Sequence, residues 1–414
     1  MTRNLPVNPA RIAEDISDLA AITEPDHPWT RRSFTPMFLA GRDYLVRRFE
    51  AAGLETRIDA AGNLIGRLRG RDPGRGTIMV GSHSDTVPDG GRFDGIAGVS
   101  AALEVARTLA DQGITLEHDL EVIDFLAEEV SAFGLSCIGS RGLAGQLNAA
   151  MLAREADGRD LAAAIREVGG RPGVDEGRKD IKAFLELHIE QGTVLQDARE
   201  DIGVVTAIAG ITRIEIIVEG RADHAGTTRM GHRLDALAAA ARLVLGIEAI
   251  ATEKSHGPTH FAATVGEFEI EPNAANVVPS RARLLIDARA EARPDMETFI
   301  AEVRTLAATV AAETRVTIET PAVISDNPPT PGDPALLDIL DKASDEVGAR
   351  HRRMASGAGH DTAWMARITK SAMIFIPCLD GRSHAPEEFA ETDDIAMGAA
   401  VLLEAVKRLD KVLE

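Results

Sequence analysis

The chain has 414 residues, 44% of them hydrophobic and 27% charged, with a formal net charge of -20. That length supplies core for two domains, and the acidic balance excludes the basic face that nucleic-acid binding requires. Two cysteines, Cys137 and Cys378, exclude a disulfide framework and point to a reducing compartment.

The amino-terminal segment has no apolar run of signal-peptide length, so a cytoplasmic location is expected. Residues 10–22 read as an amphipathic helix with Ile12, Ile16 and Leu19 on one face. A second helix is predicted over 37–52, ended by Gly53. Residues 55–70 read as two short strands around a turn at 61–63. A buried strand starts at Thr77 and runs out into His83; a helix covers 97–110; a second buried strand, 120–129, ends on Glu128 and Glu129. The alternation of Phe184, Leu185, Leu187 and Ile189 puts His188 on a further strand. Strands alternating with helices predict an α/β fold with a mixed sheet, and functional residues then belong at the carboxyl ends of strands.

The middle of the chain changes character. Residues 212–226 alternate apolar and polar, as a half-exposed strand does. A long helix at 233–252 follows; it is alanine-rich and carries Arg242 and Glu248, so it reads as a packed helix and not a membrane span. Two strands (261–272 and 281–290), a helix (294–312) and a strand at 316–326 complete the pattern of one antiparallel sheet covered on one face by two helices. The proline-rich stretch 327–334 leads out of this α+β insertion, and a helix at 335–347 and a strand at 371–378 rejoin the first domain. The expected division is a split catalytic domain, 1–210 and 327–414, around an inserted lid and dimerisation domain, 211–326.

Five side chains suit divalent metal: His83, Asp94, Glu129, His188 and His384. Two histidines with a carboxylate can hold one ion, and a histidine with a second carboxylate, sharing the first, can hold another. Such a pair activates water against a carbonyl. Glycines 90, 91 and 95 let the loop around Asp94 close on a small site, and Asp94 is placed to bridge. Asp85 can orient the His83 imidazole, and Glu128 is free to take a proton. From the inserted block, His224 can stabilise an oxyanion. Arg289 offers a planar fork for a carboxylate, and Asn276 comes from the same block. Histidine and carboxylate ligands suit zinc, manganese, cobalt and nickel alike. The chain has no G-x-S-x-G elbow and no P-loop.

The segments GSHSDTVPDGGRFDGIAGV, GSRGLAG, LELHIEQG, ADHAGTTRM, PNAANVVPS, SGAGHDT and SHAPEEF, in this order, resemble the M20-type metallohydrolases. Within them the chain looks like the N-carbamoyl-L-amino acid hydrolase and allantoate amidohydrolase branch. The resemblance implies that His83 and His188 bind one ion and Glu129 and His384 another, with Asp94 bridging and Glu128 as general base. It places Gln191, Asn276 and Arg289 at the substrate and His224 at the reacting carbonyl, across a homodimer interface. The implied substrate is a small carboxylate-bearing amide or ureido compound, an N-carbamoyl-L-amino acid or an allantoate-like acid; the competing expectation is an N-acyl amino acid or a dipeptide. Val130, Ala132 and Arg229 depart from the branch's pattern near the substrate pocket or lid.

Overall fold

The computed structural model describes residues 5–174 and 177–413. By its contacts the chain forms two compact units, one of Met1–Thr206, Gly332–Met354 and His360–Glu414, the other of Ala207–Pro331 and Ala355–Gly359. The chain thus crosses between units at 206/207 and 331/332, a few residues outside the boundaries expected at 210/211 and 326/327. Ala207 and Ile208 already pair with Pro331 and Thr330, which draws both crossings outward. A second, short excursion at 355–359 has no signal in the sequence. It is held by bonds from Ala209 N to Ser356 O and from Arg289 Nη1 to Gly357 O.

The first unit is built on a mixed sheet. Its strands run in the order Glu55–Ile58, Leu64–Leu68, Asp119–Phe125, Thr77–His83, Ile181–Ile189, Lys370–Ile376 and then the start of Ile202–Ile208. The four central strands are mutually parallel, and both faces are buried, as parallel strands require. The two-residue period divides their side chains cleanly. Ile78, Val80, Leu120 and Val122 join the core beneath the helices Pro9–Ala21, Ile96–Asp111, Pro334–Glu346 and Thr392–Val412. Met79, Ile123 and Phe125 face the other way, toward Leu143 and Met365. The helix Ile96–Asp111 is buried along nearly its whole length, which its run of Ala and Gly permits. Because the four strands are parallel, their carboxyl ends lie along one edge. His83 ends one strand, Phe125 another and Ile189 a third, and the strand ending at Ile376 leads into the loop that carries His384.

One expectation needs correction. The strand predicted through Glu129 stops at Phe125, and Glu128 and Glu129 stand in a loop. Ala127 takes φ 51°, breaking the extended path, and its carbonyl accepts from Ile138 N instead of continuing a ladder. The two acids are therefore released from the alternation that would have forced one of them into the core.

The second unit has an antiparallel sheet in the order Phe261–Glu271, Arg281–Ala290, Gly210–Glu219, with Thr317–Ile318 and Ala322–Asn327 both pairing with Gly210–Glu219. Alternate residues of Arg281–Ala290 are buried. They pack with Ile214, Ile216 and Val218 against Leu243 and Ile247 of the helix Ala236–Ser255 and Phe299 and Val303 of the helix Arg293–Thr314. The predicted strand at 212–226 is in fact Gly210–Glu219 followed by a separate two-residue strand, Asp223–His224, that pairs with Val277–Val278. The strand predicted at 316–326 is likewise two pieces. Among the described residues no helix is long and apolar enough to cross a membrane.

Candidate metal centre

The carboxyl edge of the first unit's sheet gathers four side chains around Asp94. Its Oδ1 lies 3.4 Å from His83 Nε2 and 3.2 Å from His188 Nε2, and its Oδ2 lies 3.4 Å from His384 Nε2. His384 Nε2 is also 3.1 Å from Glu129 Oε1. Two groups result, His83–Asp94–His188 and Asp94–Glu129–His384, each with its potential ligand atoms within 4.8 Å of one another. Asp94 belongs to both.

The imidazoles are aimed by their other nitrogens. His188 Nδ1 is 2.9 Å from Ile189 O, and His83 Nδ1 is 3.1 Å from Asp85 O. With metal bound, a proton on Nδ1 in each case would leave the Nε2 lone pair, on the Asp94 side, for the ion. Gly95 N donates to His188 Nε2 at 3.1 Å, consistent with a lone pair there.

Gly95 is also a steric requirement. Its φ is +66°, and a Cβ at this position would stand 2.5 Å from the His83 ring. Gly95→Ala is expected to destabilise the protein by roughly 1–3 kcal/mol and to weaken metal binding by displacing His83. Thermal unfolding and metal content of the purified variant check both effects; a wild-type metal content would mean that the ring has room to move.

Asp85 organises the acids. Its two carboxylate oxygens accept from Glu128 N at 3.1 Å and Glu129 N at 3.3 Å, so one buried carboxylate fixes both backbones. Glu128 Oε2 lies 3.7 Å from His83 Nε2, while its Oε1 accepts from the buried Cys137 thiol at 3.3 Å. Burial pushes the Glu128 carboxyl well up; His83 offsets part of that, and the neighbouring Glu129 and Asp361 add to it. Burial also raises Glu129, with Asp94 adding to the effect against the His384 hydrogen bond. Burial works against Asp94 too, but the surrounding imidazoles, His188 foremost, hold it well below the ordinary carboxylate range. Three acids and three imidazoles therefore share one largely buried site, where burial works against the ionised form of Glu128 and Glu129. A divalent cation would favour the ionised carboxylates against that burial, so the donor set fits metal.

Asp94 has further support that the sequence did not disclose. Gln191 Nε2 donates to its Oδ2 at 2.6 Å, and Ser383 Oγ donates to the same oxygen at 2.7 Å. Glu388 Oε1 accepts from Phe93 N and Asp94 N at 2.8 and 3.0 Å, and its Oε2 is 2.8 Å from Ser383 Oγ. Gln191 thus touches the proposed bridging carboxylate, closer to the centre than a substrate contact alone requires. His360, also unnoticed in the sequence, packs edge-on against His188 with ring centroids 4.6 Å apart. Burial, and then the His188 charge, push its pKa well down.

His224, Asn276 and Arg289 all lie in the second unit. The first two are neighbours: the strand carrying His224 pairs with Val277–Val278, and Ala225 N donates to Asn276 O at 2.9 Å. His224 is exposed, and its Nδ1 accepts from Gly226 N at 3.0 Å, which leaves an Nε2–H donor directed elsewhere. Arg289 stands apart on the strand Arg281–Ala290, its Nε on Asp287 at 2.9 Å and its Nη1 on Gly357 O at 2.7 Å.

Residues 79–408 match peptidase family M20/M25/M40, a span that includes every one of these side chains. The chain belongs to that family. Among its relatives, an N-carbamoyl-L-amino-acid amidohydrolase of Paenarthrobacter aurescens is 36% identical over 97% of this chain and 98% of its own. A ureidoglycolate hydrolase of Arabidopsis thaliana is 36% identical over 97% of this chain and 87% of its own. A solved amidase of the hydantoinase/carbamoylase family from Burkholderia multivorans superposes with a TM-score of 0.90 at 36% identity, covering 96% of this chain and 97% of that one. As an M20 family member the chain is a hydrolase, and its two overlapping ligand groups are in keeping with the family's dependence on metal.

Proposed function

We propose that this protein is a two-metal amidohydrolase that cleaves the linear ureido C–N bond of an N-carbamoyl-L-amino acid or a related ureido acid, working as a homodimer in the cytoplasm. The observation that carries the reading is the pair of ligand groups sharing Asp94 with Glu128 beside them. The activities for which the relatives are named, on N-carbamoyl amino acids and ureidoglycolate, support the substrate class.

His83 and His188 would hold one ion, Glu129 and His384 the other, with Asp94 common to both; zinc, manganese, cobalt and nickel all suit these donors. When bound, the ions supply Lewis-acid polarisation of the carbonyl and an acidified water. Glu128 accepts a proton from the attacking water and returns it to the leaving nitrogen. Cys137 holds the Glu128 carboxylate by one oxygen and leaves the other toward His83. In this scheme the His224 Nε2–H donates to the developing oxyanion, from the partner subunit. Arg289 grips the substrate carboxylate, with Asn276 and Gln191 placing the rest. With a carbamoyl substrate the products are the free amine, carbon dioxide and ammonia.

The discriminating experiment is a panel of carbamoyl, ureido, formyl and acetyl derivatives of several amino acids, tested on metal-reconstituted protein. Ammonia release from carbamoyl or ureido acids supports the reading; turnover confined to acetyl or peptide substrates replaces it with an acylase or peptidase.

Arg289→Ala is expected to raise KM and leave metal content unchanged, because a carboxylate remote from the reacting carbon is held alike in ground and transition states. The loss should shrink for a substrate whose carboxylate is amidated. His224→Ala is expected to lower kcat instead, since its partner exists only as the carbonyl is attacked. Steady-state kinetics of both variants on both substrates separate the two roles; equal effects on KM would remove His224 from the oxyanion.

A further inference from the structure

We infer that the cavity beside Glu129 receives the substrate's side chain and is built for a bulky uncharged group, aromatic above all. This rests on the functional reading just given and narrows its substrate class.

The cavity measures about 240 Å³ and lies wholly in the first unit. Asp85 and Glu129 form its inner wall. Glu129 is therefore shared between this cavity and the candidate centre, which puts the two side by side. The cavity's apolar wall comes from Phe34, Pro88, Val130, Ala132 and Phe133, and hydroxyls of Ser33, Thr35, Thr86 and Ser131 add uncharged lining.

Three features define what fits. The rings of Phe34 and Phe133 meet edge to face, with centroids 5.5 Å apart and planes at 86°. Phe133 is 6% exposed and anchored in a core cluster, so this aromatic wall is fixed. A third ring can join such a pair in the same geometry. Next, Val130 directly follows the two acids and is 72% exposed, an apolar side chain left in water at the lip of the candidate centre. A substrate group lying over it removes that surface from solvent.

The third feature is charge. The cavity has two arginines, Arg32 and Arg159, but neither offers an uncommitted cation. Arg32 makes a two-pronged contact with Glu24 at 2.9 and 2.7 Å. Arg159 pairs with Glu167 and donates to Phe34 O at 3.3 Å. An acidic side chain entering here would find both cations engaged and would meet Asp157 as a like charge. An uncharged side chain gains from the apolar wall and meets no like charge.

The test compares kcat/KM for the N-carbamoyl derivatives of L-phenylalanine, glycine and L-aspartate. The wild-type protein is expected to prefer the phenylalanine derivative to either of the others by about tenfold or more, the discrimination apolar pockets typically reach. Ala132 is exposed, so Ala132→Trp should fold while filling the cavity; the phenylalanine-to-glycine ratio should fall by about tenfold. Val130→Asp, also at an exposed position, should lower the same ratio by charging the lip. A wild-type protein that hydrolyses the glycine or aspartate derivative at least as well as the phenylalanine one overturns this inference and leaves the amidohydrolase reading standing. So does a ratio unchanged in both variants. A wild-type protein that hydrolyses no carbamoyl or ureido acid at all overturns the functional reading, and this inference with it.

Discussion

Glu128→Gln is expected to abolish turnover and leave the metal in place. Glutamine has the size and shape of glutamate and can still accept from the Cys137 thiol, so nothing around it need move. The backbone at 128 and 129 is fixed by Asp85, whose two oxygens hold both amides. Glu129, His384, Asp94 and the other two imidazoles keep their places. What the substitution removes is the ability to take a proton, and loss of a general base costs typically 10²–10⁴-fold in rate. The fall should appear in kcat with little change in KM, because the proton moves only on the way to the transition state. Metal analysis and steady-state kinetics on the same preparation check the expectation. Wild-type activity would remove Glu128 from the chemistry; loss of metal along with activity would make it a ligand.

Asp94→Ala is expected to empty the centre altogether. Asp94 is the one side chain common to both ligand groups, and three imidazoles converge on its two oxygens. Without it each ion would keep only two protein ligands, His83 with His188 and Glu129 with His384. Gln191 and Ser383 would also lose the oxygen they donate to. Metal content should fall toward zero for both ions together, and activity with it. Asp94→Asn should lie between, since one oxygen remains for coordination but the charge is gone. One ion retained at full occupancy in Asp94→Ala would mean that the carboxylate is not shared.

Much of this architecture could be read from local patterns. Thr77–His83 and Asp119–Phe125 are short runs dense in branched residues, and their carboxyl ends mark the site. The inserted sheet shows itself through strict alternation, as along Arg281–Ala290. The five candidate ligands stand in recognisable segments, and the structure brings all five together in one unit.

The parts that escaped are those with no local signal. Glu388 supports the backbone of Asp94 across 294 residues of sequence, and although it lies in SHAPEEF beside His384, nothing local tells it from Glu387. The end of the strand at Phe125 depends on Ala127 in a left-handed conformation, which alanine does not advertise. The loop is held there by backbone bonds from residues 137–139, a long-range partner that propensity cannot see. The short helices Ile138–Leu143 and Leu161–Glu167 fall in a stretch without clear periodicity and went unassigned. The cavity lined by Phe34 and Val130 needs two segments nearly a hundred residues apart, so its apolar character is visible only in the fold.

Two divalent ions, held by side chains sharing Asp94, are expected to make this protein a hydrolase of ureido bonds. The most direct test is to strip the purified protein with a chelator and titrate a single divalent metal back, following bound ion per chain and ammonia release from an N-carbamoyl-L-amino acid in the same samples. The expected result is an inactive stripped protein whose activity rises with occupancy and reaches its plateau at two ions per chain. Undiminished activity in the stripped protein, or full activity at one ion per chain with the second never bound, would contradict it.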